Sequence, residues 1–247
     1  MSNFINIRGV IGVNPNSEFA KENNFVNTDG PSLRKSIEEN IASNGKIDIH
    51  LHTPGGMVHE GLNMINQMKS LEADGANIRV INAGLSASMG AFFLLSTSRS
   101  ATFQAATVMF HDPRFQSFLE EFDSDKLRER KEQLDVGAEV FSQIMTNKND
   151  KPEEFNRAIL SRTTWLTARQ SVANNFVDEV IDGEVDEKKF EEDKLPVELF
   201  KNIPLNYKQS YFKECEQNNS CKTDKDFIDC NTNNEINQLL WKRILKN

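Results

Sequence analysis

Cysteine, histidine, tryptophan and tyrosine are all scarce in this chain, at 3, 4, 2 and 2 of 247 residues. The cysteines, Cys215, Cys221 and Cys230, lie near the C-terminal end, and no histidine follows His111. An odd number of thiols, at spacings that fit no zinc knuckle, argues against a disulfide framework and against a metal centre. They read as free thiols in a polar tail, and neither metal nor cofactor is expected. Long apolar runs are also missing. The longest candidate, Met89 to Leu95, is too short to span a bilayer, and the first eight residues lack a basic segment followed by an apolar one. No leader and no membrane contact are expected, and the chain reads as cytoplasmic. An excess of positive charge is absent too: 29 Lys and Arg stand against 37 Asp and Glu, a net charge of −8. The basic residues are scattered among acids, so no stripe for nucleic acid forms.

What the chain does have is 38% hydrophobic residues in regular patterns, enough for a packed core. Residues 1–195 read as alternating strands and helices, an α/β domain with a mostly parallel sheet. Phe4 to Val13 reads as a first strand followed by a polar loop, and Ser32 to Ile41 as a helix. Ile47, Ile49 and Leu51 alternate with Asp48 and His50, a strand ending in the turn Thr53-Pro54-Gly55-Gly56. Val58, Leu62, Ile65, Met68 and Leu71 recur at helical spacing. Ile78 to Ala83 reads as the next strand, with Gly84 opening a tight turn before Ser88 and the apolar helix Met89 to Leu95. Thr107 to His111 is a further strand. Ser124 to Met145 is a long helix, charged in its first half and carrying Val140, Phe141, Ile144 and Met145 in its second. Further helices are expected from Pro152 and after Thr167, with Phe176 to Ile181 closing the sheet. Residues 196–247 form a separate, polar extension with little to bury until the short amphipathic stretch Ile236 to Leu245.

Three chemical features fall at successive strand ends, where open α/β sheets place their sites. Pro54-Gly55-Gly56 lets the backbone approach a substrate closely. Ser88, between small residues at a strand-to-helix turn, is exposed beside free N–H groups of the helix start. His111 ends the next strand. A serine hydroxyl needs a base to become a nucleophile, and imidazole suits that task near neutral pH. The N–H groups of Gly56 and Met89 are placed to receive a developing oxyanion. Ser86 competes with Ser88, but only Ser88 directly precedes the Met-Gly-Ala helix start. Asp48, His50, His52 and His59 lie close in sequence without matching a zinc motif, and read as ordinary hydrogen-bonding groups.

The segments Pro54-Gly55-Gly56, Ala87-Ser88-Met89-Gly90-Ala91 and Val108-Met109-Phe110-His111-Asp112-Pro113 resemble the motifs of the Clp protease proteolytic subunit family. Trp165-Leu166-Thr167-Ala168 through Asn175-Phe176-Val177-Asp178 resembles that family's closing helix and strand, nearer its phage-type head maturation branch. The resemblance implies a ClpP/crotonase-like α/β spiral of repeated β-β-α units with a protruding handle helix, Ser124 to Met145. It also implies a serine endopeptidase working through an acyl-serine intermediate on protein or peptide substrates, in a homo-oligomeric ring. The implied partners are an AAA+ unfoldase or capsid and scaffold proteins. By motif the nucleophile falls on Ser88, the base on His111 and the oxyanion donors on Gly56 and Met89. The family's acid falls on Thr163, a departure flanked by Arg162 and Thr164, and His52 stands where the family usually has asparagine. Asp112 neighbours the histidine, but on a strand its side chain points to the opposite face. Loss of the acid leaves open a catalytically weak or silent structural subunit. The same fold also carries acyl-CoA chemistry in crotonase-type enzymes, and a scaffolding protein of a capsid would need no catalytic residues at all.

Overall fold

Three parallel strands form the centre of the molecule: β1 (Phe4–Arg8), β2 (Lys46–Thr53) and β3 (Asn77–Ala87). The structure, a computed structural model, describes residues 3–115 and 123–181. Alternation decides which side of each strand is dry. Ile5 and Ile7, then Ile47, Ile49 and Leu51, then Ile78 and Val80 are buried in one core with Leu33, Ile37, Met64 and Met68. Those last four come from α2 (Gly30–Asn40) and α3 (Val58–Ala73), whose apolar residues recur at helical spacing. Asp29 caps α2 by accepting from the Ser32 N–H at 2.8 Å. Alternate strand positions carry polar groups that meet one another. Arg79 bonds Asp48 at 2.6 Å, and His50 stacks on Phe4 with ring centroids 5.0 Å apart.

Two further parallel strands, β4 (Arg99–Thr102) and β7 (Glu179–Val180), extend the sheet to the order β1-β2-β3-β4-β7. Along the far half of β3 the neighbour on the β4 side changes. Leu85, Ser86 and Ala87 pair instead with β5 (Thr107–Phe110), which in turn pairs antiparallel with β6 (Thr164–Thr167). Gly84 therefore lies inside a strand of 11 residues rather than opening a turn. The first strand is shorter than its apolar residues suggest, because the chain turns at Gly9, with φ +111°. A short helix, α1 (Glu18–Glu22), capped by Ser17, occupies the segment expected to be loop. At the far end, only Glu179 and Val180 of the expected closing strand are paired as β7.

The remaining helices are α4 (Met89–Leu95), α5 (Ser124–Asn149), α6 (Glu153–Ser161) and α7 (Ala168–Ala173). Every residue of α4 is buried, as an apolar helix without a polar face must be. Phe92 of α4 stacks on Phe141 of α5 at 3.9 Å, so the second half of the long helix packs through Phe141 and Met145 rather than exposing them. Such a pair adds about 0.5–1.5 kcal/mol to the burial of each ring. The first half of α5 is a solvated face laced by Asp125–Arg128 and Lys131–Asp135 ion pairs, with Leu127 and Val136 exposed. Thr167 caps α7 in a reciprocal box with Gln170. This is the α/β architecture with a handle helix that the motifs imply. The polar extension from residue 196 and its amphipathic end lie outside the described residues, as do the cysteines.

Asp178 ties the closing segment to both neighbours. Its carboxylate accepts from the Ser100 N–H at 2.7 Å, the Ser100 hydroxyl at 2.8 Å and the Lys148 ammonium at 2.8 Å. Burial acts to raise this carboxyl, but Lys148 and the Ser100 donors outweigh it and hold the group below the ordinary value of 3.8. A carboxylate with a depressed folded-state pKa stabilises the fold above its unfolded-state pKa. That contribution is lost as pH falls through the folded-state value. Asp178→Asn is therefore expected to lower Tm at neutral pH, with the deficit shrinking below about pH 4. Thermal unfolding of both proteins across that range checks it; a deficit independent of pH would mean that the charge contributes nothing.

Candidate active site

The end of β3 and the head of α4 meet at Ser88, whose backbone has φ 53° and ψ −125°. Positive φ is uncommon for any residue other than glycine and is held only where the surroundings dictate it. Here the Ser88 N–H donates to the Met109 carbonyl at 2.8 Å, one step beyond the Ala87↔Met109 pairing, and α4 is buried on every side. The strand must turn abruptly into the helix, and the serine at the apex is half-buried. Ser86, two residues earlier, is fully buried.

The glycine turn after β2 presses against this apex. A Cβ on Gly55, at φ +95°, would lie 2.7 Å from both the Ala87 carbonyl oxygen and Ser88 Cβ. On Gly56 it would lie 2.1 Å from the Ile11 carbonyl oxygen. Both residues are held through their neighbours: the Ile11 N–H donates to the Gly55 carbonyl at 2.9 Å, and the Met57 N–H to the Ile11 carbonyl at 3.0 Å. Thr53 Oγ1 donates to the Gly9 carbonyl at 2.6 Å and accepts the Gly55 N–H at 3.0 Å. The N–H groups of Gly56 and Met89 are left with no acceptor among the described residues.

β5 delivers His111 to the same edge. Its pairing with β6 ends at Phe110 opposite Thr164, so His111 and Thr163 are the first residues beyond the ladder. The Thr163 hydroxyl, however, accepts from Arg114 Nη2 at 2.7 Å, and its backbone is left-handed at φ 53°. The imidazole finds a different partner. His111 Nδ1 lies 2.5 Å from the main-chain carbonyl oxygen of Asp112. A carbonyl can only accept, so Nδ1 carries the proton and the lone pair of the neutral ring sits on Nε2. That is the tautomer a general base needs if Nε2 is to take a proton. Asp112 is half-buried, and its Oδ1, shut off from solvent, has no hydrogen-bond partner among the described residues. Burial pushes this carboxyl above its ordinary value, against the opposing charges of Arg157, His111 and Arg114.

The structure thus sets Ser88, His111, Gly56 and Met89 at the carboxyl ends of the neighbouring strands β2, β3 and β5, with Thr163 just before β6. Sequence reasoning passed over Asp112 by considering its side chain alone; the main-chain carbonyl is the group that touches the imidazole. An open cleft of 440 Å³ begins two residues beyond Gly56 and His111, at Val58 and Pro113, and is walled by Leu62 of α3 and Leu134 and Val140 of α5, with Arg114, Glu129 and Glu132 also lining it. His50 and Asp48 are engaged with Phe4, Phe103 and Arg79, and no group of three or more metal-ligating side chains occurs among the described residues. Among the same residues no helix is long and apolar enough to cross a membrane.

The family model described as Clp protease matches residues 37–184, which hold every element of this site except Ile11 and its neighbours. The chain belongs to the Clp protease family. Among its relatives, an ATP-dependent Clp protease proteolytic subunit 2 of Parasynechococcus marenigrum is 25% identical over 142 residues, covering 55% of this chain and 67% of that protein. The ATP-dependent Clp protease proteolytic subunit of Streptococcus gordonii is 27% identical over 137 residues, 55% of this chain and 68% of its own length. The Glycine max subunit of the same name is 28% identical over 145 residues, with 58% and 70% covered. Membership of this family supports peptidase activity.

Proposed function

We propose that the chain is a serine endopeptidase in which Ser88 is the nucleophile and His111 the general base. The observation that carries this reading is the forced positive-φ turn at Ser88, set within one residue of the level of His111 by the pairing of β3 with β5. In the reaction, Nε2 of His111 takes the Ser88 hydroxyl proton as Oγ bonds to the scissile carbonyl carbon. The oxyanion that forms lies against the N–H groups of Gly56 and Met89. Each such donor is worth about 2.7–4 kcal/mol where one has been removed. The protonated imidazole then gives its proton to the leaving amine as the C–N bond breaks, and water, deprotonated by the same nitrogen, hydrolyses the acyl-serine. The adjoining cleft offers apolar walls for a substrate side chain.

On this reading the substrate is a protein or peptide, and the subunit works in a homo-oligomeric ring in the cytoplasm. The exposed Leu127 and Val136 on the handle support assembly. The names of the relatives support an ATP-dependent unfoldase partner. The segment from Trp165 to Ala168 supports a role nearer head maturation, with capsid or scaffold proteins as substrates. A second reading, a catalytically weak or silent structural subunit, draws on Thr163, since no carboxylate stands opposite the histidine.

An active-site-directed fluorophosphonate separates the two. Labelling is expected at Ser88 alone, absent from Ser88→Ala and lost in a folded His111→Ala protein. Label that persists in Ser88→Ala would overturn the assignment, and a wild-type chain that takes none would favour the silent subunit.

A further inference from the structure

Loss of the acid leaves a specific question at this site: what holds the imidazole. A free ring samples both tautomers, and the wrong one places a proton on the nitrogen that must act as base. Thr163 lies, like His111, one residue beyond the β5–β6 ladder, yet its hydroxyl is committed to Arg114. The only hydrogen-bond partner of the ring among the described residues is the Asp112 carbonyl.

That carbonyl is itself fixed from three sides. The Asp112 N–H donates to the Leu160 carbonyl at 3.0 Å, anchoring the residue to the end of α6. Pro113 follows, and a residue before proline is confined to extended backbone. Pro113 packs against α5 at Gly137, where an added Cβ would come within 3.2 Å of its ring. The side chain of the same residue is half-buried, with Oδ1 shut off from solvent and unbonded among the described residues, and the charges of His111 and Arg114 on its own segment and of Arg157 of α6, which also bonds Glu153 at 3.3 Å, act on it. A carboxylate oxygen enclosed without a partner is costly to keep, and each such group calls for an explanation.

We propose that Asp112 is the positioning residue of this site: its main-chain carbonyl holds the Nδ1–H of His111, and its half-buried carboxylate supports the imidazolium that forms in catalysis. The proposal rests on the peptidase reading above. A single residue thereby divides the work of a triad acid between its backbone, which orients, and its side chain, which supplies charge. Asp112 touches neither substrate nor the reacting atoms, and acts only through His111.

Asp112→Asn keeps the carbonyl and removes the charge, so the two parts separate. With an activated ester as substrate, the acid limb of the kcat/KM profile is expected to move down by roughly one pH unit, the size of shift a near charge produces. The plateau above it should fall by no more than about tenfold, far short of the roughly 10⁴ lost when a neutral amide leaves the wrong tautomer in a chymotrypsin-type site. An acid limb that stays in place, or a plateau loss near 10⁴, would overturn the proposal. A second measurement needs no variant at Asp112. In protein labelled with ¹⁵N-histidine, the His111 signals, assigned by their loss in His111→Ala, should report a protonated Nδ1 in the neutral ring; a protonated Nε2 would overturn the proposal independently. Absence of phosphonate labelling in the unsubstituted chain would instead remove the peptidase reading itself.

Discussion

Ser88→Gly is expected to abolish turnover and, at the same time, to raise the melting temperature. The first effect follows from removing the nucleophile, which costs about 10⁶ in kcat in a comparable Ser–His site. The second follows from the backbone. A side chain at φ 53°, ψ −125° holds the chain in a sparsely populated conformation, at a cost of about 1–3 kcal/mol. Glycine adopts it without that cost, offset in part by its greater freedom when unfolded. A net gain of about 1 kcal/mol corresponds to roughly 2–4 °C in Tm for a chain of this size. Ser88→Ala separates the two effects, losing turnover without the gain. Ester hydrolysis and thermal unfolding of the three proteins check this. Residual turnover in both variants would point to another nucleophile, and a lower Tm for Ser88→Gly than for Ser88→Ala would mean the turn is not strained.

The second large effect is expected from Gly55→Ala, a substitution that touches no reacting group. The added methyl meets backbone and Cβ atoms, Ala87 O and Ser88 Cβ at 2.7 Å and Met89 N at 3.0 Å, none of them the end of a flexible side chain. The serine turn cannot retreat, because its N–H is bonded to Met109 and α4 behind it is wholly buried. The glycine turn must therefore back away, and Gly56 with it, parting the two N–H groups assigned to the oxyanion. A loss of about 10²–10³ in kcat is expected, that of an oxyanion donor, with KM much less affected. Unchanged kcat in a folded protein would show that Gly56 is not a donor.

Much of this arrangement was legible in the residue pattern. Alternation around Asp48 and His50 located β2, helical spacing located α3, and the uniformly apolar Met89–Leu95 located α4 to the residue. Each is a case where burial on one side, or on all sides, leaves a periodic trace. What left no trace depends on pairing between distant segments. Gly84 reads locally as a turn residue, yet β3 continues through it because Leu85–Ala87 find partners in β5, some 20 residues on. β4 and β6 are four residues each, too short for alternation to register. At the site, the motifs placed Ser88 and His111 on one edge, but a side-chain view of Asp112 could not reveal a bond made by its main chain. Nor could sequence show that Thr163 is occupied by Arg114, since Arg114 reaches it across the β5–β6 pairing.

The division of β3 has a mechanical consequence. Its near half has β4 as its outer neighbour, while its far half, still held to β2 through Thr53 and Ser86, carries β5 and, through β5, β6. The proposed nucleophile is thus built on one body and the proposed base on a small wing, and only the ladder of Leu85, Ser86 and Ala87 against Thr107, Val108 and Met109 joins them as strand to strand. Alignment of the wing is set as if by three teeth of a gear. A slip of one tooth would carry His111 to the opposite face and disconnect it from Ser88 altogether. Whatever grips the outer edge of β6, where Trp165 stands 57% exposed, therefore also steadies the meshing on which the reach between the two side chains depends.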